Sequence, residues 1–404
     1  MIGIKRDIFD RLVKEIENND ILILVGARQT GKTTILKQLQ QFLLEEFLLK
    51  NDGGTYFINL EDPTYLDLLN EHPRNLLKIF PIDIKRKNYI FIDEIQYLKN
   101  PTNFLKFIYD DYKENIKLIV SGSSAFYIDE KFKDSLAGRK KIFEIRTLSF
   151  HEFLRFKGKE NLPVKGNALS IDEQRETSDL YDEYMVWGGY PKVVLSPLNE
   201  KEALLQELVY SYIKKDIYES RIKQDEMVFK LLKILATQIG GLVNVNELSR
   251  TLGVSKTAID NYLHILQKSY HLALIRPFYK NARKELTKMP KIYFYDTGLM
   301  NFLLNDFSMP SVRKNIGILM ENAVFRWLLD KNGDVDKIKF WRTIQHNEVD
   351  FIVSDKEAYE VKNNETLINS SKYRSFSELY PEISITFVVY KKNTFSKALL
   401  PYEI

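Results

Sequence analysis

The chain has 404 residues, more than a single hydrophobic core usually serves, so two to four domains are expected. Its 44% hydrophobic and 28% charged residues are ordinary for a globular protein and exclude a disordered or low-complexity chain. Cysteine is absent, which excludes disulfides, thiolate zinc sites and cysteine nucleophiles, and a net charge of +4 is too small to imply a nucleic-acid partner by itself.

Charged residues interrupt the apolar stretches that targeting would need. The first residues, MIGIKRDIFDRL, carry charges where a signal peptide has an apolar core. A later apolar run, QFLLEEFLLK, is interrupted well before the length of a membrane span. We therefore expect a cytoplasmic protein with no membrane partner.

A phosphate-binding loop is predicted in ILILVGARQTGKTTILKQL, residues 21–39, which runs from an apolar strand through a glycine loop into a helix. The loop matches G-x4-G-K-[ST], in which the glycines let backbone N–H groups converge on phosphate oxygens. Lys32 would reach the β- and γ-phosphates as part of the catalytic set, and Thr33 would bind Mg²⁺. The predicted nucleotide-binding residues are Gly26, Ala27, Arg28, Gln29, Thr30, Gly31, Lys32, Thr33 and Thr34.

Two further strands are expected to end beside this loop. YIFIDEIQYL ends in Asp93, which would hold Mg²⁺ through water, and Glu94, which would polarise the attacking water. KLIVSGSSAF ends in hydroxyls, of which Ser123 is preferred over Ser121 and Ser124 for contact with the γ-phosphate or the water. With TYFINL and KIFEIR, five parallel strands alternate with helices, which predicts a three-layer α/β domain.

The segments GARQTGKTT, FIDEIQ, IVSGSS and SLAGRKKIFEIRTLSFHEFL together resemble the AAA+-type P-loop ATPases of prokaryotes that carry an uncharacterised C-terminal region. The resemblance covers nearly the whole chain and implies ATP and Mg²⁺ as cofactors, with hydrolysis of ATP. It also implies a role on the phosphates for Arg139 of LAGR, in trans if the protein is a homo-oligomer. The alternative for Arg139 is a solvated basic residue after a turn.

The middle of the chain is predicted to be helical. Residues 151 to about 225 are interrupted only by Gly188-Gly189 before Pro191, and the resemblance implies a helical lid here. A helix-turn-helix follows, with a helix from Val245 to Leu252, a turn at Gly253, and a second helix capped by Ser255. The residues expected on the exposed start of the second helix are Lys256, Thr257, Asp260 and Asn261.

The stretch HLALIRPFYKNARKELTKMPKIYFYD predicts two strands joined by a basic loop that carries Lys280, Arg283, Lys284 and Lys288, so the module resembles a winged helix. Its second helix would enter a DNA groove while the wing contacts phosphates, and DNA is favoured over RNA. The alternative is a protein-packing module, since Asp260 would repel the nucleic-acid backbone.

A β-hairpin is predicted in NEVDFIVSDKEAYEVKNN, residues 347–364, preceded by a helix that carries Glu321. The order of elements resembles PD-(D/E)XK nucleases. This implies Asp350 and Glu360 as divalent-metal ligands, Glu321 as an auxiliary ligand, and Lys362 as the residue acting on water and phosphate. The alternative is ion pairs on a solvent face. The hairpin register is open, and Val349 stands where the founding signature has proline.

The predicted architecture is a P-loop AAA+ core over residues 1–155, a helical lid over 156–225, a winged helix-turn-helix over 226–298 and a PD-(D/E)XK-like α/β domain over 299–404. The predicted protein hydrolyses ATP, binds nucleic acid and cleaves it at the C-terminal metal site. In the alternative hypothesis it is an ATP-driven regulatory switch or protein remodeller, and its winged helix and inactive nuclease-like domain are docking modules.

Overall fold

The computed structural model describes residues 3–47, 53–122, 136–162, 170–219, 225–279, 285, 288–391 and 398–404. The chain divides into two compact units. The first comprises Met1–Arg146 with Lys268–Tyr270, and the second comprises Thr147–Gln267 with His271–Ile404. No helix among the described residues is long and apolar enough to cross a membrane.

The first unit is built on a parallel sheet in the order β2-β3-β4-β1-β5, as the strand predictions required. Its strands are β1 (Ile21–Val25), β2 (Thr55–Asn59), β3 (Asn88–Asp93), β4 (Ile116–Gly122) and β5 (Lys140–Glu144). Its helices are α1 (Ile8–Lys14), α2 (Lys32–Phe47), α3 (Pro63–Glu71), α4 (Leu76–Ile79) and α5 (Pro101–Tyr112), with short 3-10 turns at Pro73–Asn75 and Ile95–Tyr97.

Every residue of β1, β3 and β4 is buried, which is expected of central strands covered on both faces. Alternate side chains enter two separate apolar clusters. Leu22 and Leu24 pack with α1 and α2, whereas Ile23 and Val25 pack with residues of α3, α4 and α5. The three-layer α/β arrangement predicted from the sequence is therefore present.

The second unit begins with helices. They are α6 (Phe150–Phe156), α7 (Ile171–Trp187), α8 (Pro191–Leu195), α9 (Leu198–Glu207), a π-helical segment Leu208–Ile213, α10 (Lys214–Glu219), α11 (Asp225–Thr237), α12 (Val245–Leu252), α13 (Lys256–Lys268), α14 (Thr297–Leu304), α15 (Ile316–Asn332) and α16 (Arg374–Leu379). The predicted turn lies between α7 and α8, where Gly188 has a φ of 73° and Pro191 opens the next helix.

The second unit also contains a six-stranded sheet in the order β11-β10-β9-β8-β6-β7. Its strands are β6 (Leu272–Pro277), β7 (Lys291–Phe294), β8 (Ile338–Arg342), β9 (Glu348–Val353), β10 (Glu357–Asn364) and β11 (Ile385–Lys391), with 3-10 turns at Val335–Lys337, Glu365–Leu367, Ser370–Tyr373 and Pro401–Glu403. Strands β6 and β8 pair in parallel through Arg276 with Lys339 and Pro277 with Phe340. The boundary predicted at 298/299 therefore separates elements that share one sheet.

Candidate functional site

The loop between β1 and α2 has positive φ angles at three positions, two of which are glycines. Gly26 has a φ of 155°, and a Cβ there would lie 2.0 Å from the carbonyl oxygen of Ile145. Gly31 has a φ of 96°, and Gln29 between them is also left-handed at 63°. The two glycines of the predicted pattern are therefore required by the curl of the loop, which places it directly before the helix N-terminus.

Arg6 fixes this loop to the end of β5. Its guanidinium donates to the carbonyl of Thr30 at 2.9 Å and to the carbonyl of Arg146 at 3.0 Å. The arginine is buried, and the Thr30 hydroxyl donates to the carbonyl of Ala27 at 2.9 Å within the same loop. Arg6 cannot be predicted from the sequence as a loop contact, because it lies 24 residues from Thr30 and belongs to no local pattern.

The predicted lysine and hydroxyl lie at the centre of the loop. Lys32 Nζ donates to the carbonyls of Gly26 at 2.9 Å and Ala27 at 2.8 Å. Thr33 Oγ1 donates to Asp93 Oδ2 at 2.6 Å, which joins the first turn of α2 to the end of β3. These contacts bring Lys32, Thr33 and Asp93 together at the carboxyl ends of the central strands, as the sequence predicted.

Ser121 completes this group. Ser121 on β4 pairs with Leu24 near the carboxyl end of β1, so it lies at the same edge of the sheet as the loop. Its hydroxyl donates to Asp93 Oδ1. The same hydroxyl accepts from the backbone N–H of Glu94 at 3.1 Å. Ser123, the serine preferred in the sequence analysis, lies outside the described residues.

Glu94 occupies a strained backbone position. It is left-handed, with φ 58° and ψ 48°, a conformation that costs a non-glycine residue about 1–3 kcal/mol. The Gln96 side chain donates to Glu94 Oε2 and thereby restrains the carboxylate. Such strain is typical of functional residues, and no local pattern in the sequence predicts the contact from Gln96.

Arg139 lies elsewhere in the first unit. It immediately precedes β5, and its carbonyl accepts from the N–H of Ile21 at the amino end of β1. Its side chain pairs with Asp110 at 2.8 Å and lies 5.9 Å from the Tyr109 ring centroid. The phosphate loop follows the other end of β1, so Arg139 is not brought to the loop of its own chain. A contribution in trans stays a prediction.

These residues fit a magnesium nucleotide. The glycine loop leaves no room for a Cβ at Gly26, Lys32 is buried in the loop, and Thr33 and Asp93 offer hydroxyl and carboxylate oxygens of the kind Mg²⁺ prefers. Glu94 directly follows Asp93, and its carboxylate is of the kind that can orient a water molecule. The loop, Thr33, Asp93 and Glu94 therefore lie together as one candidate site.

The hairpin of β9 and β10 has the register that the sequence left open. Phe351 pairs with Tyr359, so Asp350 and Glu360 are the next opposing residues. The Asp350 carboxylate accepts from the backbone N–H of Val361 at 2.9 Å, and the Glu360 carboxylate accepts from the N–H of Asp350 at 3.2 Å. At this position the two carboxylates therefore accept hydrogen bonds from backbone N–H groups of β9 and β10.

Further charged side chains surround this pair, and we call the group the acid–lysine cluster. Glu360 accepts from Lys362 and, at 2.9 Å, from the Tyr373 hydroxyl. Glu321 on α15 accepts from the Tyr293 hydroxyl at 2.6 Å. The cluster comprises Lys291, Tyr293, Glu321, Glu348, Asp350, Glu360, Lys362 and Tyr373.

Lys291 on β7 is the cation shared by three of these acids. Its ammonium lies 2.5 Å from Glu348 Oε1, 3.4 Å from Glu321 Oε1 and 3.9 Å from Asp350 Oδ1. Its side chain is only 1% exposed. Neither Lys291 nor Glu348 is predicted as a site residue from the sequence, because no local spacing relates β7 to β9.

The protonation equilibria reflect this crowding. Burial raises the pKa of Asp350 well above its usual range, and the neighbouring Glu321 and Glu360 raise it further. Burial also raises the pKa of Glu360, although Lys362 opposes this. For Lys291 burial alone lowers the pKa, but Glu321, Asp350 and Glu348 outweigh it and raise the pKa.

The predicted metal ligands of this cluster do not fit a metal ion as they are arranged. Within the part of the chain that the structure describes, no group of three His, Cys, Asp or Glu side chains is placed to hold one. Glu321 and Asp350 are instead paired with Lys291, and Glu360 is paired with Lys362. The structure thus brings the predicted acids and lysine together, but as an ion-pair network.

The helix pair α12–α13 has the predicted bounds and caps. The Asn244 side chain accepts from the N–H groups of Asn246 and Glu247, and Gly253 is left-handed at φ 66°. The Ser255 hydroxyl accepts from Ala258 N–H at 3.1 Å, which caps α13. Lys256, Thr257, Asp260 and Asn261 are all exposed. Of the four basic residues predicted in the loop, Lys280, Arg283 and Lys284 lie outside the described residues, and Lys288 is exposed.

Three family models match separate parts of the chain. Residues 18–154 match a family described as AAA domain. Residues 178–309 and 316–399 match two families described as domains of unknown function, DUF8612 and DUF4143. The first match contains the glycine loop, Asp93 and Glu94.

Two relatives cover most of the chain. Uncharacterized protein MJ1544 of Methanocaldococcus jannaschii is 28% identical over 368 residues, spanning 89% of this chain and 77% of the relative. An uncharacterized protein of Haemophilus influenzae is 24% identical over 356 residues, spanning 86% of this chain and 83% of the relative.

Among solved structures, the Aeropyrum pernix ORC1 protein in complex with DNA shares 13% identity at a TM-score of 0.34, covering 76% of this chain and 93% of that one. A TM-score this low does not inform the fold. The AAA-domain match and the geometry of the loop agree with each other. Residues 18–154 therefore match a AAA domain and contain a P-loop-type glycine loop.

Proposed function

We propose that the protein binds ATP with Mg²⁺, hydrolyses it as an AAA+-type ATPase, and binds nucleic acid, DNA in preference to RNA, through the helix pair α12–α13. The observation that carries the ATPase part is the joining of Thr33, Asp93 and Ser121 at one sheet edge, with Glu94 next to them. Each of these groups has a separate role in phosphoryl transfer.

Backbone N–H groups of residues 26–33 and the Lys32 ammonium would bind the phosphates, and the helix N-terminus of α2 would add its partial positive charge. Bound Mg²⁺ supplies charge neutralisation at the β- and γ-phosphates. Asp93, fixed by Ser121, would hold the hydroxyl of Thr33 and the waters of the ion. Glu94 would accept a proton from the attacking water, in a position kept by its left-handed backbone and by Gln96.

The test is ATP hydrolysis by the full chain. Lys32→Ala should abolish nucleotide binding and hydrolysis, because the only ammonium in the loop is removed. Lys37→Ala, on the exposed side of the same helix, is the matched control and should leave both unchanged. Equal hydrolysis by wild type and Lys32→Ala would refute the ATPase proposal.

The nucleic-acid part is supported by the exposed start of α13. Lys256, Thr257 and Asn261 offer one cation and two hydrogen-bonding side chains, as in helices that read a groove, whereas Asp260 opposes a phosphate contact. A capped helix after a left-handed glycine presents them at a fixed angle. The antiparallel pair β6–β7 follows, which supports a winged-helix interpretation.

Fluorescence anisotropy with labelled duplex DNA and RNA tests this part between about 50 and 200 mM salt. Lys256→Ala should weaken DNA binding and reduce the logarithmic salt slope by about 1, because one phosphate contact is lost. Lys233→Ala, an exposed lysine on α11, should bind as wild type does. No salt-dependent binding by wild type would exclude nucleic acid as the partner and favour the docking-module alternative.

Cleavage of nucleic acid at the acid–lysine cluster is the second candidate function. The opposition of Asp350 and Glu360, with Lys362 beside them, favours it. The ammonium of Lys291 among the acids opposes it, since a metal ion would have to displace that ammonium. A Mg²⁺ or Mn²⁺ cleavage assay with wild type and Asp350→Ala decides, and cleavage that persists in Asp350→Ala would reject this candidate.

A further inference from the structure

We infer that the ammonium of Lys291 takes the place of a divalent cation in the acid–lysine cluster, so that the folded protein binds no metal ion there while Lys291 is in position. The inference concerns the C-terminal part of the second unit and does not depend on ATP hydrolysis or nucleic-acid binding. It makes Lys291 the internal counter-ion of Glu321, Glu348 and Asp350.

The distances from the Lys291 ammonium to the carboxylates show how closely these charges are packed. One ammonium lies within 4 Å of carboxylate oxygens from three acids on two elements, α15 and β9. Carboxylates held this close repel one another unless a cation joins them, and a buried ammonium is stable only when it is paired. Lys291 satisfies both requirements at once. Glu360 has its own cation in Lys362, and Glu348 also contacts Arg342 at 3.1 Å.

Lys291 is anchored through its backbone on both sides, and its ammonium is buried. Its strand pairs with β6 through Ile275, and its other side is bridged by Leu242. The N–H of Val243 donates to the carbonyl of Pro290 at 2.8 Å, just before the lysine. The ammonium lies 5.4 Å from the Phe340 ring centroid. The backbone of Lys291 is therefore paired on both sides, and its side chain is 1% exposed.

The neighbours of the lysine are fixed as well. Tyr293, two residues along β7, donates to Glu321, so the same strand supplies both a cation and a hydroxyl to this acid. Gly240 lies against Glu321, where a Cβ would approach its carboxylate oxygens to 2.4 Å. The carboxylate of Glu321 is thus held between two side chains of β7 and the backbone of Gly240.

A divalent ion would compete with Lys291 for these carboxylates. Mg²⁺ binds carboxylate oxygens at about 2.0–2.1 Å and keeps several waters. Its binding therefore needs space beside carboxylates that are not already paired with another cation. Here the oxygens of Glu321, Glu348 and Asp350 already face an ammonium at 2.5–3.9 Å. A divalent ion at the same oxygens would lie next to a buried positive charge, so metal and Lys291 exclude each other.

The experiment titrates the full chain, without nucleotide, with up to about 1 mM Mn²⁺ and follows free Mn²⁺ by electron paramagnetic resonance. Asp93→Asn is present throughout to suppress ion binding in the first unit. With Lys291 intact we expect no bound Mn²⁺. With Lys291→Met, which removes the charge and keeps the length, we expect one Mn²⁺ per chain, and adding Asp350→Asn should abolish it.

Lys331→Met is the matched control, because Lys331 on α15 pairs with Glu357 outside the cluster, and it should bind no Mn²⁺. Stoichiometric Mn²⁺ in the Lys291 protein that Asp350→Asn removes would overturn the inference. So would a folded Lys291→Met protein that binds none. If circular dichroism shows that Lys291→Met does not fold, the titration with Lys291 intact still decides, since the inference forbids bound Mn²⁺ there.

Discussion

Thr33 Oγ1 donates a 2.6 Å hydrogen bond to Asp93 Oδ2, which links the start of helix α2 to the end of strand β3 across 60 residues of sequence. The other oxygen of the same carboxylate accepts from Ser121. Asp93 is 2% exposed and both of its oxygens are oriented by hydroxyls. Such a carboxylate is prepared to organise an ion without moving.

Asp93→Asn should therefore make nucleotide binding independent of Mg²⁺. We expect hydrolysis to fall roughly 10²–10³-fold, because an oriented negative charge is lost from the reacting centre. A fluorescent ATP analogue should bind the variant equally with Mg²⁺ and with EDTA, whereas wild type should bind more tightly with Mg²⁺. Asp67→Asn, on the exposed face of α3, is the control, and a matching effect there would contradict the assignment.

Glu94→Gln should remove hydrolysis and leave ATP binding intact. An amide cannot accept the proton of the attacking water, so the rate should fall roughly 10²–10⁴-fold. Gln96→Leu should lower kcat by about tenfold with KM unchanged, because Gln96 only orients the acid. Steady-state kinetics measure both, and a Gln96→Leu protein in which KM changes and kcat does not would assign Gln96 to binding instead.

Arg6→Ala should loosen the phosphate loop. Two charge-assisted hydrogen bonds to the carbonyls of Thr30 and Arg146 are lost, so the free energy of unfolding of the first unit should fall by about 2–3 kcal/mol. ATP affinity should also weaken, because the loop is no longer fixed before the ligand binds. Urea unfolding and calorimetry test the two effects. Arg11→Ala on α1, an exposed arginine, should change neither.

Asn322→Leu should destabilise the second unit without altering the first. The Asn322 side chain on α15 accepts from the N–H of Phe294 at 2.7 Å and donates to its carbonyl at 3.1 Å, and Asn322 is fully buried. Leucine would leave two buried backbone groups unsatisfied, at a cost of about 2–4 kcal/mol. Thermal unfolding followed by circular dichroism measures this. Asn332→Ala, at the end of the same helix, should cost about 1 kcal/mol or less.

Glu183 predicts a loss of stability in acid. Burial raises the pKa of Glu183, but hydrogen bonds from Lys157 at 2.8 Å and Lys201 at 2.9 Å outweigh burial, so the pKa is lowered from 4.5. A carboxyl with a lowered pKa stabilises the fold above its unfolded pKa and loses that contribution as pH falls through the folded value. Burial lowers the pKa of Lys201 despite this partner, and the pH dependence of stability that results from this shift lies at alkaline pH.

Glu183→Gln should therefore reduce the free energy of unfolding at pH 7, and the difference from wild type should shrink as the pH falls below 4.5 and vanish below the lowered pKa of Glu183 in the folded protein. Urea unfolding over this range measures it. Glu176→Gln is the control, because Glu176 pairs with Lys159 at an exposed position and should show a much smaller difference. A difference between Glu183→Gln and wild type that is independent of pH would exclude the charge as its cause.

Local patterns in the sequence predicted the parts of the fold that local forces decide. Gly26 and Gly31 were identified because the loop needs a curled backbone, and the caps at Gly253 and Ser255 predicted where α12 ends and α13 begins. The opposition of Asp350 and Glu360 required only the hairpin register, which the turn then fixed.

Contacts between distant segments could not be predicted in this way. Arg6 reaches Arg146 across 140 residues, and Lys291 reaches Glu348 and Asp350 from another strand of the sheet. Arg139 follows a recurrent motif, yet the parallel register places it at the sheet end away from the loop. Periodicity and spacing describe one element at a time, and Asp93 could be placed beside the loop only because parallel strands end at one edge of a sheet.

The parallel pairing of β6 with β8 has a consequence for dissecting this protein. A chain severed after residue 298 would keep β6 and β7 but lose the strand on the far side of β6, leaving unpaired backbone groups on an exposed edge. Bare edges recruit other chains, so such a fragment would aggregate. We therefore expect the helix pair and the hairpin to be stable only when they are expressed together.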